Sequence, residues 1–178
     1  MRLFVGLDLP WALRTEISGL ALGLAGVRWV PPENYHVTLR FIGEVGRYTA
    51  EEIDQALAAL RGRSFPLSLS GVGTTQKAGR VTALWTGVDR NPALEHLRAK
   101  VETALQRAGL QPERRRFTPH VTLARLGEPA AEPKLAHWVQ AHNLFRSSPV
   151  QMNHFTLFSS QLGHEPSVYP AEVEYELA

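Results

Sequence analysis

The sequence contains no cysteine and has no long apolar run. Without cysteine, the chain can form no disulfide, no thiolate nucleophile and no Cys-ligated zinc site. No segment approaches the roughly 18 consecutive apolar residues that a membrane-spanning helix requires. The apolar stretch that ends at Leu7 is too short for a signal peptide and is followed by Asp8. We therefore expect a cytoplasmic protein with no membrane association.

Lysine is also scarce, so the positive charge is carried almost entirely by arginine. Of the 19 basic residues, 16 are Arg and 3 are Lys, and the formal net charge is +2. Arginine binds phosphate through two parallel hydrogen bonds and stacks on bases. The composition therefore permits a nucleic-acid or nucleotide ligand, although codon bias or thermal adaptation would produce the same enrichment.

One tetrapeptide, His-Val-Thr-Leu, occurs at His36–Leu39 and again at His120–Leu123, 84 positions later. Alternate side chains of a strand share a face, so each copy would place an imidazole beside a threonine hydroxyl and aliphatic side chains on the reverse face. By the same alternation, Arg40 should face the cleft with His36. Arg125 should point away from it, unless a bulge or the end of the strand turns it inward.

The predicted elements repeat in the same order in both halves of the chain. The offset stays between 81 and 85 residues for three pairs of positions: Phe4 and Trp85, His36 and His120, and Phe65 and Val150. This regularity indicates an internal duplication. We expect an α+β fold in which two lobes, each a mostly antiparallel sheet with outer helices, surround a central cleft. Residues 1–178 would form one two-lobed domain, with halves at about 1–75 and 81–178 and a hinge at 73–80.

Two imidazoles that face each other can divide acid and base work. With an ordinary pKa near 6.5, one ring can be protonated while the other is neutral at physiological pH. This arrangement suits in-line attack on phosphorus, and the adjacent threonine hydroxyls can hold the non-bridging phosphate oxygens. The predicted chemistry needs neither a metal nor a cofactor.

The segments around the two motifs carry a family resemblance. Leu39-Arg40-Phe41-Ile42-Gly43 follows the first motif, and Phe117-Thr118-Pro119 precedes the second. With these segments the chain resembles the two-histidine phosphoesterase superfamily, and within it the RNA 2′,3′-cyclic phosphodiesterases, also called 2′-5′ RNA ligase-like proteins. The resemblance covers nearly the whole chain. It implies a metal-independent enzyme that opens a 2′,3′-cyclic phosphate to a 2′-phosphomonoester.

The resemblance also implies roles for individual residues. His36 would be the proton donor to the departing 3′ oxygen, and His120 would be the proton acceptor that activates water. Thr38 and Thr122 would hold the phosphate, and Arg125 would lie near it.

Further substrate-binding candidates come from position alone. Arg40 is one, and the aromatic residues Tyr35 and Phe41 are candidates for base stacking, although aromatic residues near strands more often belong to the core. The expected partner is RNA or a nucleotide with a 2′,3′-cyclic phosphate, bound by a monomer. Two alternatives stay open at this point: 2′-5′ ligation by the reverse reaction, and an RNA-binding module without turnover.

Overall fold

The computed structural model describes residues 1–127, 132–161, 163–164 and 166–178. Within these residues, the strands and α-helices follow one another in this order: β1 Arg2–Asp8, α1 Trp11–Ser18, β2 Arg28–Trp29, β3 His36–Glu44, α2 Arg47–Ala58, β4 Phe65–Leu67, β5 Leu69–Lys77, β6 Arg80–Val88, α3 Pro92–Arg107, β7 His120–Arg125, α4 Glu132–His142, β8 Val150–Met152, β9 His154–Ser159 and β10 Ala171–Glu176. The predicted α+β class is confirmed. No helix within the described ranges has both the length and the apolar composition needed to cross a bilayer.

The expected lobe sheets are joined into one large antiparallel sheet. Its strand order is β10-β9-β1-β3-β7-β6-β5, and the short strand β2 pairs with β7 as a branch. The two motif strands, β3 and β7, meet at the centre of this order through the single pair Val37 and Val121. A second, two-stranded sheet is formed by β4 and β8. The motifs therefore lie where the two halves of the chain join.

The two halves exchange strands. By the repeat, β1 corresponds to β6, β3 to β7 and β5 to β9. The strand β5 from the first half pairs with β6 from the second half, and β9 from the second half pairs with β1 from the first. Each lobe sheet is thus built from both halves of the chain. The division into halves at about 1–75 and 81–178 remains a prediction from the sequence repeat.

The segment predicted as a hinge is a β-hairpin. Strand β5 continues to Lys77 and pairs with β6 through Thr74 and Thr75. The connecting turn consists of Ala78 and Gly79, which have φ values of 51° and 78°. Positive φ at both central residues is the geometry of a tight hairpin turn whose twist matches that of the strands. The polar, glycine-containing composition reflects this turn and the exposed end of β5 at Gln76 and Lys77.

Helix α3 shows why these sequences form these elements. Its first turn is capped by Asn91, whose side-chain oxygen accepts from the N–H of Leu94 at 3.0 Å, and Pro92 occupies the first helical position. Gly109, with φ of 99°, follows its end. The helix buries one apolar stripe, formed by Leu94, Leu97, Val101 and Leu105, and packs against α2 and the motif strand β3.

Candidate active site

The register of the motif strands brings both tetrapeptides together. Because Val37 pairs with Val121 in an antiparallel ladder, His36 lies across from Thr122 and Thr38 lies across from His120. The two valines are completely buried, whereas the histidines and threonines alternate with them and remain partly accessible. The two imidazoles therefore occupy one diagonal of a four-residue block, and the two hydroxyls occupy the other.

Each motif histidine is oriented in the same way by its own backbone. The Nδ1 atom of His36 lies 2.7 Å from the carbonyl oxygen of Asn34, and Nδ1 of His120 lies 2.7 Å from the carbonyl oxygen of Thr118. A carbonyl oxygen can only accept, so each Nδ1 carries a hydrogen and donates it. The Nε2 atom of each ring is then free for proton transfer with a ligand.

Aromatic rings flank both histidines. The ring of His36 lies 5.0 Å from that of Phe4 and 5.3 Å from that of Tyr169, and the ring of His120 lies 5.7 Å from that of Trp85. Phe4 and Trp85 are equivalent by the sequence repeat, which is the signal that could have identified them as site residues. Tyr169 comes from the segment before β10 and has no such signal in the sequence.

The two histidines differ in electrostatic environment. Burial lowers the pKa of His36 below its ordinary value of 6.5. The hydrogen bond to the carbonyl of Asn34 opposes this shift, and the positive charges of Arg125 and Arg14 and the nearby His120 add to it. Both burial and neighbouring cations disfavour the protonated ring. An anionic ligand beside His36 and Arg125 would reverse the electrostatic part of this effect.

A β-bulge corrects the prediction for Arg40. Consecutive residues Val5 and Gly6 of β1 pair with Arg40 and Thr38, so Leu39 is the extra residue on β3. The bulge interrupts the alternation, and both Leu39 and Arg40 are buried. Arg40 therefore lies on the core side, where its Nε donates to Oε2 of Glu102 at 2.9 Å. Arg40 is not a cleft residue.

The matching bulge on β7 turns Arg125 toward the cleft. Consecutive residues Leu84 and Trp85 of β6 pair with Ala124 and Thr122, so Leu123 is the extra residue. As a result Arg125 is exposed on the side of Thr122 and lines a cleft of about 220 Å³ with it and His36. The position suits the phosphate contact that the family resemblance implies for this arginine.

The two aromatic candidates differ in solvent exposure. Tyr35 is 1% exposed and belongs to the core, so it offers no surface for base stacking. Phe41 is 55% exposed and its ring lies 5.9 Å from that of Phe4. Strict alternation would direct Phe41 away from His36, but the bulge at Leu39 returns it to the histidine face.

Further cleft residues come from strand β2 with the segment that follows it, and from the segment before β10. Arg28 and Trp29 of β2, together with Pro31 and Asn34, form one wall, and the other includes Pro166, Ser167 and Tyr169. The walls are connected because Nδ2 of Asn34 donates to the carbonyl oxygen of Ser167 at 2.7 Å. These residues are far apart in sequence, so only the fold identifies them as neighbours.

Comparison with known proteins decides the family. Residues 12–164 match the 2′-5′ RNA ligase superfamily. The chain belongs to this superfamily. Two of its curated relatives are both named RNA 2′,3′-cyclic phosphodiesterase. The protein from Aeropyrum pernix is 33% identical over 153 residues, covering 85% of this chain and 87% of the relative. The protein from Bacillus subtilis is 30% identical over 174 residues, covering 92% and 90%.

Solved structures show that this member of the 2′-5′ RNA ligase superfamily has a known fold. The protein TT0787 of Thermus thermophilus matches with a TM-score of 0.80 at 22% identity, covering 99% of this chain and 97% of that one. Escherichia coli LigT, crystallised with 3′-AMP, matches with a TM-score of 0.77 at 24% identity, covering 99% and 98%. At these identities the likeness concerns the fold alone.

Proposed function

We propose that this protein is an RNA 2′,3′-cyclic phosphodiesterase that opens terminal 2′,3′-cyclic phosphates to 2′-phosphomonoesters. The observation that carries the proposal is the diagonal pair of histidines, each with Nδ1 bonded to a backbone carbonyl and Nε2 left for proton transfer. The names of the curated relatives support the same activity, which is a phosphoric diester hydrolysis. Action in the cytoplasm and a monomeric state remain predictions from the sequence.

The proposed reaction uses the two histidines in sequence. Nε2 of His120 accepts a proton from water as the water oxygen attacks phosphorus. The bond between phosphorus and O3′ breaks as Nε2 of His36 donates its proton to the departing oxygen. The result is a free 3′-hydroxyl and a 2′-phosphomonoester. General acid and general base catalysis of this kind contributes about 100-fold to 10,000-fold each.

The lowered pKa of His36 is compatible with its role as the acid. Burial and the charge of Arg125 disfavour the protonated form of the ring in the free protein. A cyclic phosphate carries one negative charge, and its arrival beside His36 would raise the pKa of the ring by favouring the protonated form. Substrate binding would therefore be coupled to proton uptake at the residue that later donates the proton.

Thr38, Thr122 and Arg125 are proposed to bind the phosphate. The two threonines occupy the other diagonal of the four-residue block set by the Val37 and Val121 pair, each next to one imidazole along its strand and across from the other. Hydrogen bonds to the non-bridging oxygens would strengthen as charge develops on them. Arg125 would contribute a charged donor from the cleft wall. Phe41, exposed beside Phe4, is proposed as a contact for the ribose or base.

The test is hydrolysis of a defined substrate with product identification. A nucleoside 2′,3′-cyclic phosphate and an oligoribonucleotide with a cyclic end are incubated with the protein in EDTA, and the phosphomonoester position is assigned by ³¹P NMR. We expect the 2′-phosphate with both substrates. A matched control replaces the exposed His137 by alanine and should keep full activity.

Three results would contradict the proposal. Absence of any product from both substrates would favour an RNA-binding module. A 3′-phosphate would place the broken bond at the other ester oxygen. Activity that disappears in EDTA and returns with a divalent cation would exclude chemistry carried by the two histidines alone.

A further inference from the structure

A second cluster of chemically active side chains lies on strands β1, β9 and β10. Asp8, His154 and Glu174 each offer one ligand atom, and these atoms all lie within 4.8 Å of one another. The three residues are spread over most of the sequence, so no spacing pattern indicates the cluster. Neither the family resemblance nor the proposed reaction uses it.

The sheet register explains why these residues meet. Gly6 pairs with Thr156 in the antiparallel β1 and β9 ladder, and continuing that register places Asp8 across from His154. On the other side of β9, Glu174 pairs with the same Thr156. His154 and Thr156 share a face because they are two residues apart. All three potential ligands therefore project from one face of three neighbouring strands.

Two of the three side chains already form a hydrogen bond with a residue outside the cluster. Nδ1 of His154 lies 2.8 Å from Oδ1 of Asn153, and an amide oxygen accepts, so Nδ1 carries the hydrogen. Oδ1 of Asp8 accepts from Nη2 of Arg14, leaving the second carboxylate oxygen for another contact. Histidines that bind metal typically donate their other nitrogen to such an acceptor, which fixes the ring and its tautomer.

The remaining nitrogen of His154 has no hydrogen-bond partner. Its Nε2 is shielded from solvent and unpaired among the residues that the structure describes. With Nδ1 protonated, Nε2 presents a lone pair, and the other members of the cluster are carboxylates. Nε2 of His154 therefore has no hydrogen to donate to either carboxylate, and Asp8 takes its donor from Arg14 on another element; a buried lone pair that faces carboxylates without a partner is unfavourable. A cation bound between the three side chains would satisfy all of them.

We propose that Asp8, His154 and Glu174 bind a zinc-type divalent cation. One imidazole nitrogen and two carboxylates form a donor set that zinc accepts, with water completing the coordination. Magnesium and calcium prefer oxygen ligands alone. The ion would link the edge strand β10 to β9 and β1. It would stabilise the fold by binding the folded chain in preference to the unfolded one.

The experiment titrates zinc chloride into metal-stripped full-length protein by isothermal calorimetry and follows thermal unfolding in parallel. We expect one zinc ion per chain and a rise in the unfolding temperature at saturation. Glu174→Gln and His154→Ala should each weaken zinc binding by about 10-fold to 100-fold or more and remove the rise. The matched control His137→Ala, on α4, should retain both.

Absence of zinc binding by the wild type would overturn the proposal, as would wild-type affinity in both cluster variants. If His154→Ala does not fold, Glu174→Gln decides the question, because Glu174 is exposed and its replacement leaves the core intact. Hydrolysis of the cyclic phosphate is measured separately in EDTA. A protein that binds no zinc can therefore still be shown to hydrolyse the cyclic phosphate, and a protein without that activity can still be shown to bind zinc.

Discussion

The motif strands β3 and β7 carry the same tetrapeptide and the same backbone irregularity, yet they present different side chains. In both, burial follows one pattern over six residues, with a bulge at the leucine. After the bulge, however, the two sequences differ. Arg40 of β3 corresponds to Ala124 of β7, and Phe41 corresponds to Arg125. The duplicated backbone thus presents an exposed apolar ring on β3, at Phe41, and a guanidinium that lines the cleft on β7, at Arg125.

This comparison shows how a repeated motif can place two histidines in unequal surroundings. His36 is packed among aromatic rings beside Arg125, and its pKa is lowered by burial first and by that charge next. His120 lies beside Trp85 on the other side of the strand pair. The tetrapeptide supplies two equivalent imidazoles, and the residues outside it distinguish them.

The largest change in free energy is expected from replacing Arg40, whose equivalent position on β7 is occupied by Ala124. Arg40 and Glu102 form a buried ion pair, and Arg40 also donates to the carbonyl oxygens of Phe41 and Gln111. Arg40→Met should reduce the free energy of unfolding by about 3–5 kcal/mol, because it leaves a buried carboxylate without its cation. Chemical denaturation measures this change.

The control for this prediction is Arg47→Met. The pair of Arg47 and Glu51 is exposed on α2, so its loss should change stability by less than about 1 kcal/mol. If Arg40→Met and Arg47→Met lost the same free energy of unfolding, the buried Arg40 ion pair would stabilise the fold no more than an exposed pair does. Replacing Arg40 and Glu102 together by methionine should recover most of the stability, because no unpaired charge then remains.

The same ion pair predicts a pH dependence of stability. Burial alone would raise the pKa of Glu102, but hydrogen bonds from Arg40, from the N–H of Glu113 and from Gln106 outweigh it and lower the pKa to about 2, from an ordinary 4.5. The stabilisation is therefore complete above pH 4.5 and is lost as the pH falls toward 2. Denaturation midpoints between these values should fall more steeply in the wild type than in Arg40→Met.

Replacement of either motif histidine should reduce kcat about 100-fold or more, which corresponds to about 2.7 kcal/mol. The pH profiles should separate the two roles. His120→Ala should lose the acidic limb of a bell-shaped profile, which reports the base, and His36→Ala should lose the alkaline limb, which reports the acid. The opposite pattern would exchange the two assignments, and a fully active variant would remove its residue from the mechanism.

Arg125 and Phe41 occupy matching positions, so their replacement tests the asymmetry directly. Arg125→Met should lower kcat/KM about 10-fold to 100-fold, because a charged hydrogen bond to phosphate contributes about 1.5–3 kcal/mol. Arg125→Lys should recover part of this loss. Phe41→Ala should lower kcat/KM only several-fold. The exposed Arg63 provides the control, and an Arg125→Met variant as active as Arg63→Met would exclude the phosphate contact.

The smallest effect is a shift in the titration of His36, followed by NMR. In the free protein we expect the pKa of His36 to lie below 6.5, because burial and the charge of Arg125 both disfavour the protonated ring. Inorganic phosphate should raise this pKa, since an anion favours the protonated ring, and phosphate should therefore bind more tightly as the pH falls. Arg125→Met should raise the pKa without ligand. A pKa unchanged by both would exclude electrostatic coupling at this site.

The sequence was sufficient for the parts of the fold that depend on local pattern. The motif strands and the constant offset between the halves both follow from spacing and residue type. Alternation along the strands did not predict which face Arg40 and Arg125 lie on. A bulge inserts one residue in each strand and reverses the alternation, and the residue type at Leu39 or Leu123 does not indicate it. Tyr169 entered the site through tertiary structure alone, for which a single sequence carries no signal.

The exchange of β5 and β9 between the halves has a consequence for how such a chain can be divided. A fragment ending at Lys77 would carry a strand whose partner lies in the other fragment, and it would expose both edges of an unfinished sheet. Cut at the turn of Ala78 and Gly79, the two pieces should remain unfolded apart and regain structure when mixed. By the same logic, a half-length chain of this design could build the cleft only by pairing with a second copy of itself.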